Sequence, residues 1–589
     1  MDQGPLRKLC FEAKKGRWSK QQVRDFVNTR GVDPNAMYTN KKGEQRTPLA
    51  FAVEFNNDAF ARHLLELEPE AADPNLRMPP TEECPAGDTP LTLAVKNEQF
   101  DGTEMVRVLL ARGADQAQLA EVEPLLNKTM QYWRLRAQER RPFQQRMLKA
   151  FKLEGLREVE FAVVGEQAAT TAISNQIMHF VGQHAAHEGK PLVIFIPGAP
   201  GHGKTYFTKN LAKALVGEEN FLFVAGGSIK SARELFGVQW GSTSDDGRIT
   251  SFLKARQDTF SVVMLDEFEK PQSLVNEGGW DQSKPIYQSF LEPWQEGTIQ
   301  NAGRDQAQGG ANASASDRGR TIRCSKCIFI CTTNLCQQEI VDFAKLPAHQ
   351  RRMSERMGEQ DIQWIDRELV QPTIKPNLMT FFRRINPELQ ALVRRIDLIV
   401  PFVPLAREEQ VVVGDMELRS FFADYRKPPL WEPKPGEQPR MAGNLVVRHT
   451  EDVAELTADE YSVMEGASSM KKAANKFCIP ITIGYAEHEW KHAPQVMGVV
   501  SGGDGSSVPL NKIWLHVPDD ESKNVVVATE KPKPKPRRAA PSPASGPPGG
   551  EHGPKAADDA TPEPEPEAQA GGAAAAGGAG ANDEVDEDF

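Results

Sequence analysis

Eight consecutive residues carry the sharpest chemical signal in this 589-residue chain: Gly198, Ala199, Pro200, Gly201, His202, Gly203, Lys204 and Thr205. They fit the spacing G-x-x-x-x-G-K-[ST], whose glycines let backbone N–H groups crowd around phosphates. The apolar run Leu192–Pro197 precedes them and the helix-favouring stretch Tyr206–Leu215 follows. A buried strand leading through a tight loop into a helix N-terminus is the setting this chemistry needs, because the helix end adds positive potential. Lys204 suits the β- and γ-phosphates of a nucleoside triphosphate and Thr205 suits Mg²⁺, so ATP and Mg²⁺ are the expected ligands.

Three later positions complement that loop. Ser261–Leu265 reads as a second apolar strand and ends in Asp266 and Glu267. Asp266 can hold Mg²⁺ directly or through water, and Glu267 can polarise an attacking water as general base. Lys326–Cys331 reads as a third strand, ending in Thr332-Thr333-Asn334; the Asn334 amide can hydrogen-bond both that water and the γ-phosphate. A fourth strand pattern spans Arg394–Val400. An arginine there is badly placed for its own nucleotide but can reach one held by a neighbouring subunit, a task suited to its fixed charge and planar donors.

In this order the pieces resemble a Clp-type AAA+ ATPase, in particular the second ATPase ring of the ClpB-like disaggregases. Val163-Val164-Gly165-Glu166-Gln167 resembles the family's opening segment and Leu265-Asp266-Glu267-Phe268-Glu269-Lys270 its Walker B signature. Thr333-Asn334 is similar to sensor 1, and Arg395-Ile396-Asp397 with Pro401–Leu405 to the arginine-finger segment. The resemblance covers about residues 158–518 and implies an oligomeric ring of the hexamer type that hydrolyses ATP, with Arg395 acting between subunits. It also implies an aromatic pore loop. Glu234–Gly241 lacks the usual Gly-Tyr-Val-Gly, which leaves Trp240 as the candidate for gripping polypeptide. At the second sensor the family has Gly-Ala-Arg, whereas this chain has Gly466-Ala467-Ser468. Either Lys471 or Lys472 replaces the arginine, or the lid is more weakly coupled to the γ-phosphate.

The segment ahead of the nucleotide motifs repeats. Thr47-Pro48-Leu49-Ala50-Phe51-Ala52-Val53 recurs as Thr89-Pro90-Leu91-Thr92-Leu93-Ala94-Val95, each followed by a second apolar helix pattern and a turn. An earlier turn, Gly31–Asn35, marks a degenerate first unit. These units resemble ankyrin repeats, although their spacing of about 40 residues exceeds the usual ~33, with Leu76–Gly87 supplying the excess. A generic helical-hairpin domain is the alternative. Such an array offers a face for client or partner proteins, and its place ahead of one Clp-type module is similar in layout to the mitochondrial ankyrin-containing ClpB homologues.

The whole reads as a multidomain chain. Ankyrin repeats occupy 1–119, a basic, solvated helical linker 120–157, and an α/β P-loop AAA+ large domain with a parallel sheet 158–405. A helical, α+β lid spans 406–518, with short strands expected at Ile481–Gly484 and Ile513–Val517. Residues 519–589 form a disordered Pro/Ala/Gly-rich acidic tail, too poor in apolar residues to fold. The formal charge is −11, yet Glu551–Phe589 alone holds eleven acids against one base, so the rest is close to neutral. That balance makes a nucleic-acid motor the weakest reading; Lys531–Arg538 reads as a solvated linker or as a nuclear-import patch. The seven cysteines form no disulfide framework. Of Cys324, Cys327, Cys331 and Cys336, three fall along or beside the third strand, whose alternation keeps them from converging on one metal. With no apolar run long enough to span a bilayer and no secretory leader, the chain reads as soluble and intracellular, cytoplasmic by default, with nucleus and organelle left open.

Overall fold

The computed structural model describes residues 4–528 except 17, 40–42, 81–84, 138–141, 152, 185–188, 238–246, 272–282, 301–320, 350–358, 427–442, 478, 484–494, 499–507 and 519–524. Trp240, the run Asn301–Arg320 and residues 529–589 lie outside the described residues; the tail expected to be disordered from 519 is structured at Val526–Ala528, a strand paired with Val508–His516.

Three helix pairs open the chain: α1 (Gly4–Lys15) with α2 (Lys20–Arg30), α3 (Pro48–Glu54) with α4 (Asp58–Leu65), and α5 (Pro90–Lys96) with α6 (Thr103–Ala111). A small hairpin, β1 (Tyr38–Thr39) and β2 (Gln45–Arg46), lies between the first two pairs. The recurring Thr-Pro-Leu has a local cause. Thr47 Oγ1 accepts from Ala50 N at 3.1 Å and Thr89 Oγ1 from Thr92 N at 3.3 Å, while proline fills a helix position that needs no N–H. The recurring turn asparagines tie one repeat to the next. Asn35 donates to the Ala71 carbonyl and accepts from Asp73 N, and Asn75 does the same with Gly113 and Asp115.

The linker is not one solvated helix. After a 3-10 stretch, Gln116–Leu125, it breaks into α7 (Lys128–Arg136), α8 (Pro142–Ala150) and α9 (Gly155–Glu160). Trp133 of α7 is 1% exposed and shares an apolar cluster with Leu109 and Leu119 of the array and with Phe161. Burial of so large a ring outweighs the basic composition that suggested solvent.

After α10 (Gln167–His184) the chain builds a five-stranded sheet. Its members are β3 (Leu192–Pro197), β4 (Phe221–Ala225), β5 (Ser261–Asp266), β8 (Cys327–Thr333) and β9 (Leu398–Ile399), with a hairpin of β6 (Thr298–Gln300) and β7 (Thr321–Arg323) inserted. The order is β4-β5-β8-β3-β9 and every pairing is parallel. β3 and β8 are buried along their whole length, as parallel strands covered on both faces must be. Cys327 and Cys331 sit on β8 within the same apolar cluster as Cys324. The register pairs Pro197 with Thr333 and Leu265 with Cys331, so β3, β5 and β8 end at one level. Crevices outside strand carboxyl ends are where such sheets bind ligands.

Two expectations need correction here. The fourth strand is confined to Leu398–Ile399, and Arg394 and Arg395 precede it, just after the short helix Gln390–Val393. The lid carries helices Arg407–Asp424, Glu451–Asp459 and Ala467–Lys476 around β10 (Leu445–His449), β11 (Gln495–Gly498), β12 (Val508–His516) and β13 (Val526–Ala528). Residues 481–483 are helical, not a strand. Ile481 is fully buried in the lid cluster, and the neighbours of β12 are supplied by β10, β11 and β13.

Candidate functional site

The loop 198–205 joins β3 to α11 (Lys204–Val216), with Gly203 at φ +81° and Gly201 at φ +76°, backbone states open to glycine at little cost. Lys204 turns back over the loop. Its Nζ donates to the carbonyls of Gly198 at 2.7 Å and Ala199 at 2.8 Å, and to Asn334 Oδ1 at 3.1 Å. Burial pulls its pKa from 10.5 down to about 8, against the opposing pull of Glu269, Asp266, Glu166 and Glu267.

Two hydroxyls and one carboxylate meet beside it. Thr205 Oγ1 donates to Asp266 Oδ1 at 2.8 Å and Thr332 Oγ1 to the same oxygen at 2.6 Å. This cluster of hard oxygen donors fits Mg²⁺. Glu267 occupies the left-handed region at φ +53°, its N–H donating to Thr332 Oγ1 at 3.0 Å and its Oε1 paired with Lys270 Nζ at 2.7 Å. Such strained backbone is a common property of functional turns.

Asn334 lies between the lysine and the acids. Its backbone N–H donates to Glu269 Oε1 at 3.2 Å and its Nδ2 to the same oxygen at 3.0 Å, with Glu267 Oε1 at 3.5 Å. Glu269 Oε2 is buried without a hydrogen-bond partner among the described residues. Thr332 and Glu269 were given no role from sequence: Thr332 stood at the end of the third strand pattern beside Asn334, and Glu269 was only part of the segment that resembles Walker B.

The lid touches the loop backbone to backbone. Ala467 N donates to the Gly201 carbonyl at 3.1 Å, and a Cβ added to Gly201 would fall 1.9 Å from the Glu465 carbonyl oxygen. His202 donates from Nδ1 to the Pro200 carbonyl at 3.0 Å. Its Nε2, 3.1 Å from Tyr461 Oη, accepts from that hydroxyl; burial lowers the imidazole pKa, which favours this neutral form. Ser468 is exposed, and Lys472 pairs with Glu465 at 2.6 Å. Lys472 is thus committed within the lid, and Lys471 is exposed.

Arg395 stands apart from this group, at the opposite end of the sheet. Asp397 N donates to the Val193 carbonyl near the start of β3, and Arg395 itself donates to the Ala391 carbonyl at 2.6 Å and to Gln295 Oε1. Close to the large domain's opening segment, a cavity of about 550 Å³ is lined by Tyr132, Arg136, Glu166, Asp366, Leu398 and Val403, among others, but by none of residues 198–205. Burial holds the Glu166 carboxyl well above its ordinary pKa, and its Oε1 accepts from Val403 N at 2.8 Å.

Residues 11–119 match the model for ankyrin repeats (3 copies), and residues 190–385 match the model for the AAA domain (Cdc48 subfamily). The chain is similar to the mitochondrial disaggregase of Rattus norvegicus, at 24% identity over 61% of this chain and 47% of that protein. It is also similar to the chaperone protein ClpB of Chlamydia caviae, at 28% identity over 47% of this chain and 27% of that protein. It therefore spans less than half the length of either relative. The S. cerevisiae Hsp104–ADP complex aligns at 16% identity and a TM-score of 0.37, over 74% of this chain and 64% of that one.

Proposed function

We propose that this protein hydrolyses ATP to remodel other proteins, working as a ring of identical copies, with the ankyrin repeats receiving client or partner. The observation that carries this reading is the convergence of Lys204, Thr205, Asp266, Glu267 and Asn334 at the carboxyl ends of three neighbouring strands. The backbone of Gly198–Gly203 cradles the phosphates and Lys204 exchanges its carbonyl partners for phosphate oxygens. Mg²⁺, held by Thr205 and Asp266, neutralises charge on those oxygens when bound. Glu267 takes the proton of the attacking water, and Asn334 orients that water against the γ-phosphate. Arg395, remote from its own loop, serves the site of the adjacent copy, and Trp240 grips polypeptide in the pore. The similarity to ClpB and the mitochondrial disaggregase supports both the chemistry and an intracellular setting, an organelle included.

A second reading is a nucleotide-switched scaffold that hydrolyses ATP without threading polypeptide. Ser468 in place of the second-sensor arginine favours it, together with the pairing of Lys472 with Glu465 rather than with the nucleotide loop.

Substitution separates binding from hydrolysis. Glu267→Gln should bind ATP normally and accumulate as an ATP-bound oligomer in sedimentation runs, while Lys204→Ala should lose nucleotide binding. A Glu267→Gln variant that still turns over ATP would overturn the assignment.

A further inference from the structure

The ankyrin array is joined to the lid as well as to the large domain. Its loop Asn97–Asp101, between α5 and α6, abuts the lid directly. Arg448 Nη2 donates to the Glu98 carbonyl at 2.9 Å and Lys512 Nζ to the same oxygen at 2.7 Å, while the Arg426 guanidinium stands 5.8 Å from the Phe100 ring centre. Asp101 pairs with Arg419, which grips both oxygens of Asp415 at 2.7 and 2.8 Å. Asp415 also accepts from Thr129 Oγ1 of α7 at 2.6 Å and lies 2.6 Å from His449 Nε2. Asp415 is 6% exposed, so the centre of this network is buried, while Glu98 at its edge is exposed.

The same helix α7 holds the nucleotide-site side of the large domain. Arg136 donates to the carbonyls of Glu160 at 2.9 Å and Gly165 at 2.7 Å, and Tyr132 Oη accepts from Gly165 N at 2.9 Å. Trp133 packs on Phe161 with ring centres 5.7 Å apart. The covalent link from large domain to lid runs from Val403 into the helix that begins at Arg407. Helix α7 is therefore a second, non-covalent bridge across that hinge. A lid that rotates about the link must break the bonds of α7 on one side. The large-domain side holds the fully buried rings Trp133 and Phe161 with Val164, whereas the lid side adds to one buried aliphatic, Val412, a set of charges and hydroxyls (Lys128, Thr129, Asp101) that water can re-solvate.

We propose that α7 and the loop Asn97–Asp101 form a latch on the lid that opens on its lid side when the nucleotide site closes on nucleotide. Ankyrin occupancy and nucleotide occupancy are then linked, each altering the affinity for the other by the same factor. A protein segment that binds the Asn97–Asp101 loop competes with the lid and favours the nucleotide-bound form. The proposal rests on the nucleotide-binding reading above.

The test uses the full chain with two mild substitutions. Thr129→Val removes one hydroxyl at nearly constant volume, and Asp101→Asn removes the charge facing Arg419; thermal melts check that both fold. Binding of a fluorescent ADP analogue should tighten about fivefold in each, the low end of typical coupling between sites. Hydrogen exchange at residues 97–101 should rise on adding ADP to the wild type and should already be raised in the variants without it. Unchanged affinity in both variants, with exchange at 97–101 indifferent to ADP in a wild type that binds it, would overturn the latch alone. A wild type that binds no ADP would overturn the nucleotide reading and the latch with it.

Discussion

At the scale of single residues, the site depends on how Asn334 is held. Glu269 accepts from both its backbone N–H and its side-chain amide, so Glu269 fixes the rotamer of the amide proposed to orient the water. Removing that acceptor should leave nucleotide binding almost intact and misplace the amide, and a misplacement of an ångström can cost about a hundredfold in rate. Glu269→Ala should therefore lower kcat by about tenfold to a hundredfold with KM little changed. Glu269→Gln, which keeps an acceptor oxygen, should retain most of the rate; equal losses in both variants would instead assign Glu269 a role through its charge on Lys204. Lys204 itself makes binding pH-dependent. Its pKa is lowered to about 8, so above that pH the free protein carries a neutral amine that a phosphate then recharges. Nucleotide binding should take up a proton above pH 8 and weaken as the pH climbs, by up to about tenfold per unit. Calorimetry in buffers of different protonation enthalpy reads the uptake directly, and none at pH 9 would contradict the lowered value.

At the scale of elements, the P-loop and the lid are built around glycine at their contact. Gly201 at φ +76° leaves no room for a Cβ against the Glu465 carbonyl, and Gly466 at φ +57° faces it in the same way. Gly201→Ala should cost about 1–2 kcal/mol from the backbone alone, and should also push the helix Ala467–Lys476 off the loop. Nucleotide affinity should then fall further than the melting temperature predicts, which titration beside a thermal melt would show. Much of this architecture was legible in the residues. The strand–loop–helix at Leu192–Val216 and the Thr-Pro-Leu caps are local patterns whose cause lies within a few positions. What stayed hidden depends on distant partners. Phe221–Ala225 has an ordinary apolar run and becomes a strand through its pairing with β5. Ile481–Ile483 alternates like a strand yet is helical, because β12 takes its neighbours from elsewhere. The basic stretch containing Arg134 and Arg136 looked solvated, yet Arg136 is 7% exposed and bonded to the segment that opens the large domain.

At the scale of the whole molecule, the repeats and the nucleotide module are not independent parts. One apolar cluster runs from α1 of the array through Trp133 to Phe161 and Val164, and reaches Val412 of the lid. A protein segment bound at the Asn97–Asp101 loop would thus act on the same surfaces that hold the hinge. The most direct test of the central claim is the steady-state ATPase rate of the purified chain, with and without an unfolded model polypeptide, beside Glu267→Gln as the blank. Hydrolysis through Glu267 that is coupled to a client gives a rate that disappears in Glu267→Gln and rises when the polypeptide is added. A rate no higher than the blank under both conditions would contradict it.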